Sequence, residues 1–314
     1  MDFLFVFSVI FEFLALFLAF YFHNVRIFFL SLSLITLRLA YLFSPIFQGH
    51  LFLSLFLPLI FLLFYLKNFS KIIFYLANLG AFLLLILMGI LALILPQNTH
   101  FNATNLNYEL FSFYTPLNEL GFVFFCFALL FLTLKGLRNL DFIPPLVLFG
   151  AYVCFLFKSA WGVRYFEFAS FLFCFILLFS AYKSLFFDSL TKLGNEKKLK
   201  LYLKNKENYY IALLHFNELN QAKESYQKLI LKQVSKILRR FKAQIFFIGQ
   251  DFVFIFENEE NALKHLGYLE SLLKNTNLNL ENESFKLEFK LVWQKNEGNF
   301  KQDLQSLKEK ILEA

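Results

Sequence analysis

Between Phe3 and Tyr182 the chain runs through seven apolar segments, roughly Phe3–Phe22, Ile27–Ser44, Leu51–Leu66, Ile72–Leu95, Leu117–Leu134, Phe142–Phe157 and Tyr165–Tyr182. Each comes near the ~20 residues that an α-helix needs to cross the hydrocarbon core of a bilayer. Stretches this long and this apolar exclude a single water-soluble domain and predict a helical membrane bundle of about seven spans. Some segments are short, and Pro144-Pro145 breaks the sixth, which could be re-entrant, so six spans also fits. The first segment has neither a basic leader nor a small-residue cleavage site, and reads as a span rather than a signal peptide.

The polar residues are distributed to match. The 314-residue chain is 58% apolar with a mean hydropathy of +0.57, yet residues 183–314 hold 22 of its 30 Lys and Arg and 17 of its 23 Asp and Glu. All six prolines lie at or before Pro145. The expected organisation is a multi-pass membrane domain at 1–182, a connecting helix and turn at 183–195, and a soluble domain at 196–314. With an outer N-terminus, the inner connections carry His23 and Arg26, Lys67 and Lys71, and Lys135 and Arg138, ahead of the Lys-rich stretch from Lys183. The outer ones carry no Lys or Arg until Lys158 and Arg164. Positively charged loops stay on the cytoplasmic side, so the soluble half is expected there.

The net charge of +7 is mixed with acids along helical stretches and forms no basic stripe, which suits a surface near anionic lipid and not nucleic acid. Cys126, Cys154 and Cys174 sit in apolar segments without CxxC spacing, so packing is their expected role. Glu12 and Arg38 are charges inside spans. Facing lipid would be costly for either; they pair across neighbouring antiparallel helices, or each snorkels separately. The polar loop from Pro96 to Pro116 reads as a connector or, with Trp161–Glu167, as a ligand-sensing lip.

In the soluble half, Glu196–Lys204 reads as a helix, Tyr209–Phe216 as a buried strand and Asn217–Lys242 as a long amphipathic helix. Ile245–Ile248 and Phe252–Phe256 flank Gly249-Gln250-Asp251, the pattern of a hairpin. Glu259–Lys274 follows as a helix with Asn258 as its N-cap, then a strand at Phe285–Trp293 and a closing helix at Lys301–Leu312. The order α-β-α-β-β-α-β-α argues for an α+β sheet with helices on one or both faces.

Asp188-Ser189-Leu190-Thr191-Lys192-Leu193-Gly194-Asn195 resembles the DxLTxLxN motif that opens GGDEF domains, the diguanylate cyclase family, and Ile248-Gly249-Gln250-Asp251-Phe252-Val253 resembles part of that family's signature hairpin. The resemblance covers residues 184–314 and implies a cytoplasmic, nucleotidyl-cyclase-like α+β fold beneath a bacterial inner-membrane bundle. It also implies condensation of two GTP molecules by carboxylate-held Mg²⁺. The matching positions depart from that chemistry. His215 and Asn217 stand where two strand-end aspartates are expected, and in the vestigial signature Gly249, Gln250, Asp251 and Phe252 the last replaces an acid. Lys223 and Tyr226-Gln227-Lys228-Leu229 replace the guanine-recognition segment. In the product-binding RxxD motif Arg240 is kept and Ala243 replaces the acid.

The resemblance with these departures implies a membrane-anchored, catalytically inactive GGDEF-like signalling or scaffold protein, with no resident metal or cofactor. Its partners would be membrane lipid, a protein partner or a second copy through the cytoplasmic domain, and cyclic di-GMP held weakly by Arg240. One alternative is a divergent diguanylate cyclase using Mg²⁺ on Asp251 with Glu218 or Glu257. Another is a transporter or channel component with a regulatory cytoplasmic domain.

Overall fold

The computed structural model describes residues 3–98, 119–139, 141–152, 166–206, 208–217, 224–241, 243–275, 278–280, 283–285 and 288–313. The chain divides into two compact units, Met1–Ala181 and Tyr182–Ala314. The loop 99–118, the segment 153–165 with Cys154, and residues 218–223 with Glu218 and Lys223 lie outside the described residues.

The first unit is built from α1 (Phe3–Tyr21), α2 (Val25–Phe43), α3 (Ile46–Leu66), α4 (Leu79–Ile94), α5 (Glu119–Asn139), α6 (Ile143–Tyr152) and most of α7 (Phe166–Phe186). Among the described residues four helical stretches are long and apolar enough to cross a membrane: Val25–Phe43, Leu76–Gln97, Gly121–Arg138 and Phe168–Phe186. Shorter apolar helices cover Val9–Tyr21, Leu51–Leu66 and Ile143–Tyr152. The outer surface stays apolar, with Phe17, Leu83, Ile86, Phe127 and Phe175 all exposed. That is compatible with a membrane protein, since lipid is the solvent such a face requires.

The fourth apolar segment is not helical from Ile72, as its hydropathy suggests. Asn78, fully buried, donates from Nδ2 to the Ile72 and Ile73 carbonyls and accepts at Oδ1 from the Ser70 amide. This one side chain gathers residues 70–73 into a turn, so the α-helix begins at Leu79. Pro144 and Pro145 start α6 instead of breaking it; in a first turn their missing amides have no helical partner to lose.

Inside the bundle, several buried polar groups are answered from a neighbouring helix. Glu12, Ala15 and Ala19 form the buried stripe of α1, which packs on α2. The two alanines allow close approach, and Glu12 accepts a 2.5 Å charge-assisted bond from Arg38 of α2. In α3, Pro58 lacks the amide that would bond to the Ser54 carbonyl. Tyr152 Oη donates to that carbonyl at 3.5 Å. Gly121 backs onto it so closely that a Cβ there would lie 3.0 Å from the Ser54 carbonyl oxygen.

The second unit contains α8 (Glu196–Leu203), β1 (Tyr210–Phe216), α9 (Glu224–Leu238), β2 (Gln244–Ile248), β3 (Asp251–Phe256), α10 (Glu259–Asn275), β4 (Leu278–Leu280), β5 (Glu283–Phe285), β6 (Phe289–Lys295) and α11 (Phe300–Glu313). The sheet is antiparallel in the order β2-β3-β1-β6. The small β4–β5 hairpin is an addition to the expected element order, and the strand expected at Phe285–Trp293 divides between β5 and β6. The described part of the helix expected at Asn217–Lys242 is Glu224–Leu238.

Strand alternation sorts the sheet into two faces. Ala212, Leu214, Phe216, Phe252 and Phe254 pack against Ile230, Val234 and Leu238 of α9 and Ala262, Leu266 and Leu269 of α10. Ile211, Leu213, Val253 and Ile255 pack against Leu199 of α8 and Leu304, Leu307 and Ile311 of α11. Helices therefore cover both faces, each through residues at i+3 and i+4 spacing.

The residues from Asp188 to Asn195 do architectural work. Asp188 Oδ1 accepts from the Leu190 and Thr191 amides and from Thr191 Oγ1. Asn195 caps α8 by accepting from the Lys198 amide, and donates from Nδ2 to the Leu185 carbonyl. The Gly194 carbonyl accepts from the Phe247 amide at 2.7 Å, tying the turn to β2.

Two outcomes follow from this packing. Glu12→Arg and Arg38→Glu should each destabilise the detergent-solubilised chain by about 3–5 kcal/mol, and the double swap should recover more than half of that. Thermal unfolding of the three variants measures it, and a double variant no better than the singles removes the pair as a packing element. A Cβ at Gly194 would lie 2.7 Å from Phe246 Cδ1, so Gly194→Ala should lower stability by about 1–3 kcal/mol, read by denaturant unfolding followed through the soluble unit's tryptophan, Trp293.

Candidate functional site

The β2–β3 turn closes in two residues, because Ile248 pairs with Asp251. Gly249 adopts a φ of +66° while Gln250 stays outside the left-handed region, the pattern of a type II′ turn, which needs glycine at its first central position. No atom lies within 4 Å of a Cβ at Gly249, so backbone conformation alone selects glycine there.

The turn fixes what faces where. The β1–β3 register pairs Leu213 with Val253 and Leu214 with Phe252, and one step further brings His215 opposite Asp251. Both project toward α11, where Lys308 lies in the same stripe as Leu304 and Ile311. His215 Nδ1 is 2.6 Å from Asp251 Oδ1 and Lys308 Nζ is 3.5 Å from Asp251 Oδ2. The Asp251 side chain is 8% exposed, that of His215 24% and that of Lys308 56%. Facing a carboxylate, Nδ1 of the imidazole is the donor, which leaves Nε2 as the ring's other polar atom. These residues, with Leu213, Gln250, Ile311 and Leu312, line an open cleft of about 370 Å³.

The remaining sequence-selected positions lie elsewhere. Phe252 is fully buried on the opposite face, edge-on to Phe216 at 6.0 Å and 5.1 Å from Phe247. Asn217 follows β1, and its amide donates to the Glu288 carbonyl at 3.3 Å; it does not line the cleft. Arg240 is exposed in the turn after α9, also away from the cleft. Glu257 follows the far end of β3, about 20 Å from Asp251 on strand rise. There Lys206 binds it and holds its carboxyl below the usual range. Asp303 is a buried acid with a structural role: it accepts from Tyr209 Oη at 3.2 Å and from the Glu297 amide at 3.1 Å. Burial, followed by the Asp303 charge, pushes the Tyr209 phenol up to about 12.

The donor set of the cleft does not suit Mg²⁺. One carboxylate is present, each of its oxygens faces a nitrogen group, and the second wall supplies an imidazole, whereas Mg²⁺ takes oxygen ligands. Among the described residues no group of three or more His, Cys, Asp or Glu comes together. Among the described residues the lining also contains no hydroxyl or thiol nucleophile. Such a cleft can orient an imidazole and hold a small polar or anionic group beside Lys308. Lys308 was missed in the sequence because its partner lies 57 positions away; the signal was its place four residues after Leu304.

No family model matches the chain, and no curated protein matches it. Among solved structures it is similar to the diguanylate cyclase SiaD of Pseudomonas aeruginosa, solved with its activator SiaC: 13% identity over 44% of this chain and 61% of that one, TM-score 0.38. It is also similar to the FimX GGDEF domain from Pseudomonas aeruginosa, at 17% identity over 40% of this chain and 89% of that one, TM-score 0.35. A third similar structure is the coiled coil and GGDEF domain of DgcB from Caulobacter crescentus in complex with c-di-GMP, at 14% identity over 42% and 79% of the two chains, TM-score 0.34. The chain thus spans less than two thirds of the SiaD chain.

Proposed function

We propose that this chain is a multi-pass inner-membrane protein whose C-terminal unit is a GGDEF-like domain without cyclase activity, acting in signalling or assembly through protein contacts. The observation that carries the reading is the pairing of Asp251 with His215 and Lys308. In a cyclase of this type the end of the first strand and the signature turn bring carboxylates together around metal. Here one of those acids is hydrogen-bonded by an imidazole and faced by an ammonium. A site that has lost an anionic ligand loses the charge stabilisation on which phosphoryl transfer depends.

The residues of the opening turn support the same reading from another side, since the groups that hold the fold together are retained. Placement of the soluble unit in the cytoplasm rests on the basic residues of the connections at 23–26, 67–71 and 135–138. The proposed partners are a protein or a second copy of the chain. Any contact with cyclic di-GMP would run through Arg240, without the acid that the RxxD pattern supplies.

The full-length chain in detergent, given GTP and Mg²⁺, should make no cyclic di-GMP above background by chromatography; turnover at ordinary enzymatic rates of about 1 s⁻¹ or more would overturn the reading. His215→Asp should place two carboxylates in the cleft and lower stability through like-charge repulsion. Millimolar Mg²⁺ should then raise the variant's unfolding temperature while leaving the wild type unchanged. An equal Mg²⁺ response in both chains would mean that the wild-type cleft already holds the ion.

A further inference from the structure

At the end of the helical bundle where α1 joins α2, α3 joins α4 and α5 joins α6, a cleft of about 430 Å³ opens between the three connections. Its polar lining includes His23, Arg26, Lys71 and Asp141. A smaller cavity of about 240 Å³ shares Arg26, Tyr65, Asp141 and Pro144 with it and adds Lys135. Across the two, Arg26, Lys71 and Lys135 bring three formal positive charges against the single carboxylate of Asp141. Asp141 is partly committed, because its Oδ1 accepts from the Ile143 amide at the start of α6.

Two of the three cations are held in place by side-chain contacts, and the third lies on an ordered turn. The Arg26 guanidinium lies 5.8 Å from the centre of the buried Tyr65 ring. Lys135 Nζ donates to the Tyr65 carbonyl at 3.4 Å. Lys71 belongs to the turn that Asn78 gathers. Phe69, Phe173 and Ile176 supply an apolar wall. A concave site with a cationic mouth and an apolar side suits a phosphate attached to something greasy. Arginine is the side chain best matched to phosphate oxygens, and basic residues beside a membrane attract anionic headgroups.

We propose that this cleft binds a phosphoester, with Arg26 and Lys71 as the principal contacts and Lys135 behind them. The ligand is the headgroup of an anionic phospholipid or a soluble phosphate of the same chemistry. The proposal rests on the reading of this unit as membrane-embedded, which a carbonate wash of membranes tests by itself.

The experiment uses the full chain in neutral detergent or in nanodiscs of phosphatidylcholine with or without phosphatidylglycerol, and native mass spectrometry counts retained lipid. Phosphatidylglycerol should be retained over phosphatidylcholine, and Arg26→Gln should reduce that preference about five-fold, with Lys71→Gln adding a similar factor. Arg138→Gln, exposed and outside both cavities, should leave it unchanged. Thermal stabilisation of the delipidated chain by millimolar inorganic phosphate, lost in Arg26→Gln, identifies a soluble ligand; retained phosphatidylglycerol without that stabilisation identifies the lipid. The proposal is overturned by equal retention of the two lipids with no phosphate effect, or by an equal loss in Arg138→Gln. Release of the wild-type chain by the carbonate wash would instead sink the membrane reading.

Discussion

The register of the β2–β3 hairpin decides the chemistry of the soluble unit. Gly249 at positive φ closes the turn in two residues, and side chains alternate from there on. A slip of one residue would exchange Asp251 with Phe252. Phe252 is fully buried beside Phe216 and Phe247, and burying such a ring is worth about 1.5–3 kcal/mol. Phe254 and Phe256 are buried on the same face and would move with it. The aromatic face therefore holds the register, and the meeting of Asp251 with His215 is its consequence. Without that apolar anchoring, one hydrogen bond between side chains, worth about 0.5–1.5 kcal/mol, would be too weak to choose the alignment.

The bundle solves the inverse problem. There apolar side chains cover the outside as well as the core, so a buried carbonyl or charge has to find its partner on a neighbouring helix. The cluster around Ser54 illustrates it: Pro58 removes one hydrogen bond, Tyr152 offers a hydroxyl to the freed carbonyl, and Gly121 leaves the room. Glu12 and Arg38 apply the same rule to charge, and their partner choice is made possible by the two alanines that let α1 approach α2. Both arrangements depend on residues from different helices, so neither can form before the helices pack.

Much of this was legible in the chain, and what was not has identifiable causes. Helices and central strands declare themselves through periodicity, since a burial stripe on one face of an element must repeat with its pitch. The Asp188–Asn195 turn was legible because the Asp188 bonds and the Asn195 cap are local, within three residues along the chain. The Ile72 end of the fourth segment misled because apolar residues flanking a membrane helix look like the helix itself, and a single asparagine decided where the α-helix starts. The β4–β5 hairpin has strands of three residues each, too short for alternation to register. Lys308 was hidden for another reason: contacts across 57 residues leave no trace in local pattern. Phe252 was read as standing where the resemblance expects an acid, and its parity along β3 turns it to the other face from Asp251.

That parity makes positions 215 and 252 unequal as places for a carboxylate. His215 lines an open cleft and is partly exposed, so a carboxylate there would meet solvent and counter-ions. A carboxylate at Phe252 would lie among Phe216 and Phe247, sealed from water and from any cation in the cleft. An unpaired buried charge costs several kcal/mol, a large share of the 5–15 kcal/mol that holds a domain folded. The aromatic core and an acid at that position are thus mutually exclusive in this register. With Phe252 between Phe216 and Phe247, position 252 serves packing, and no single substitution at the turn brings it round to the cleft.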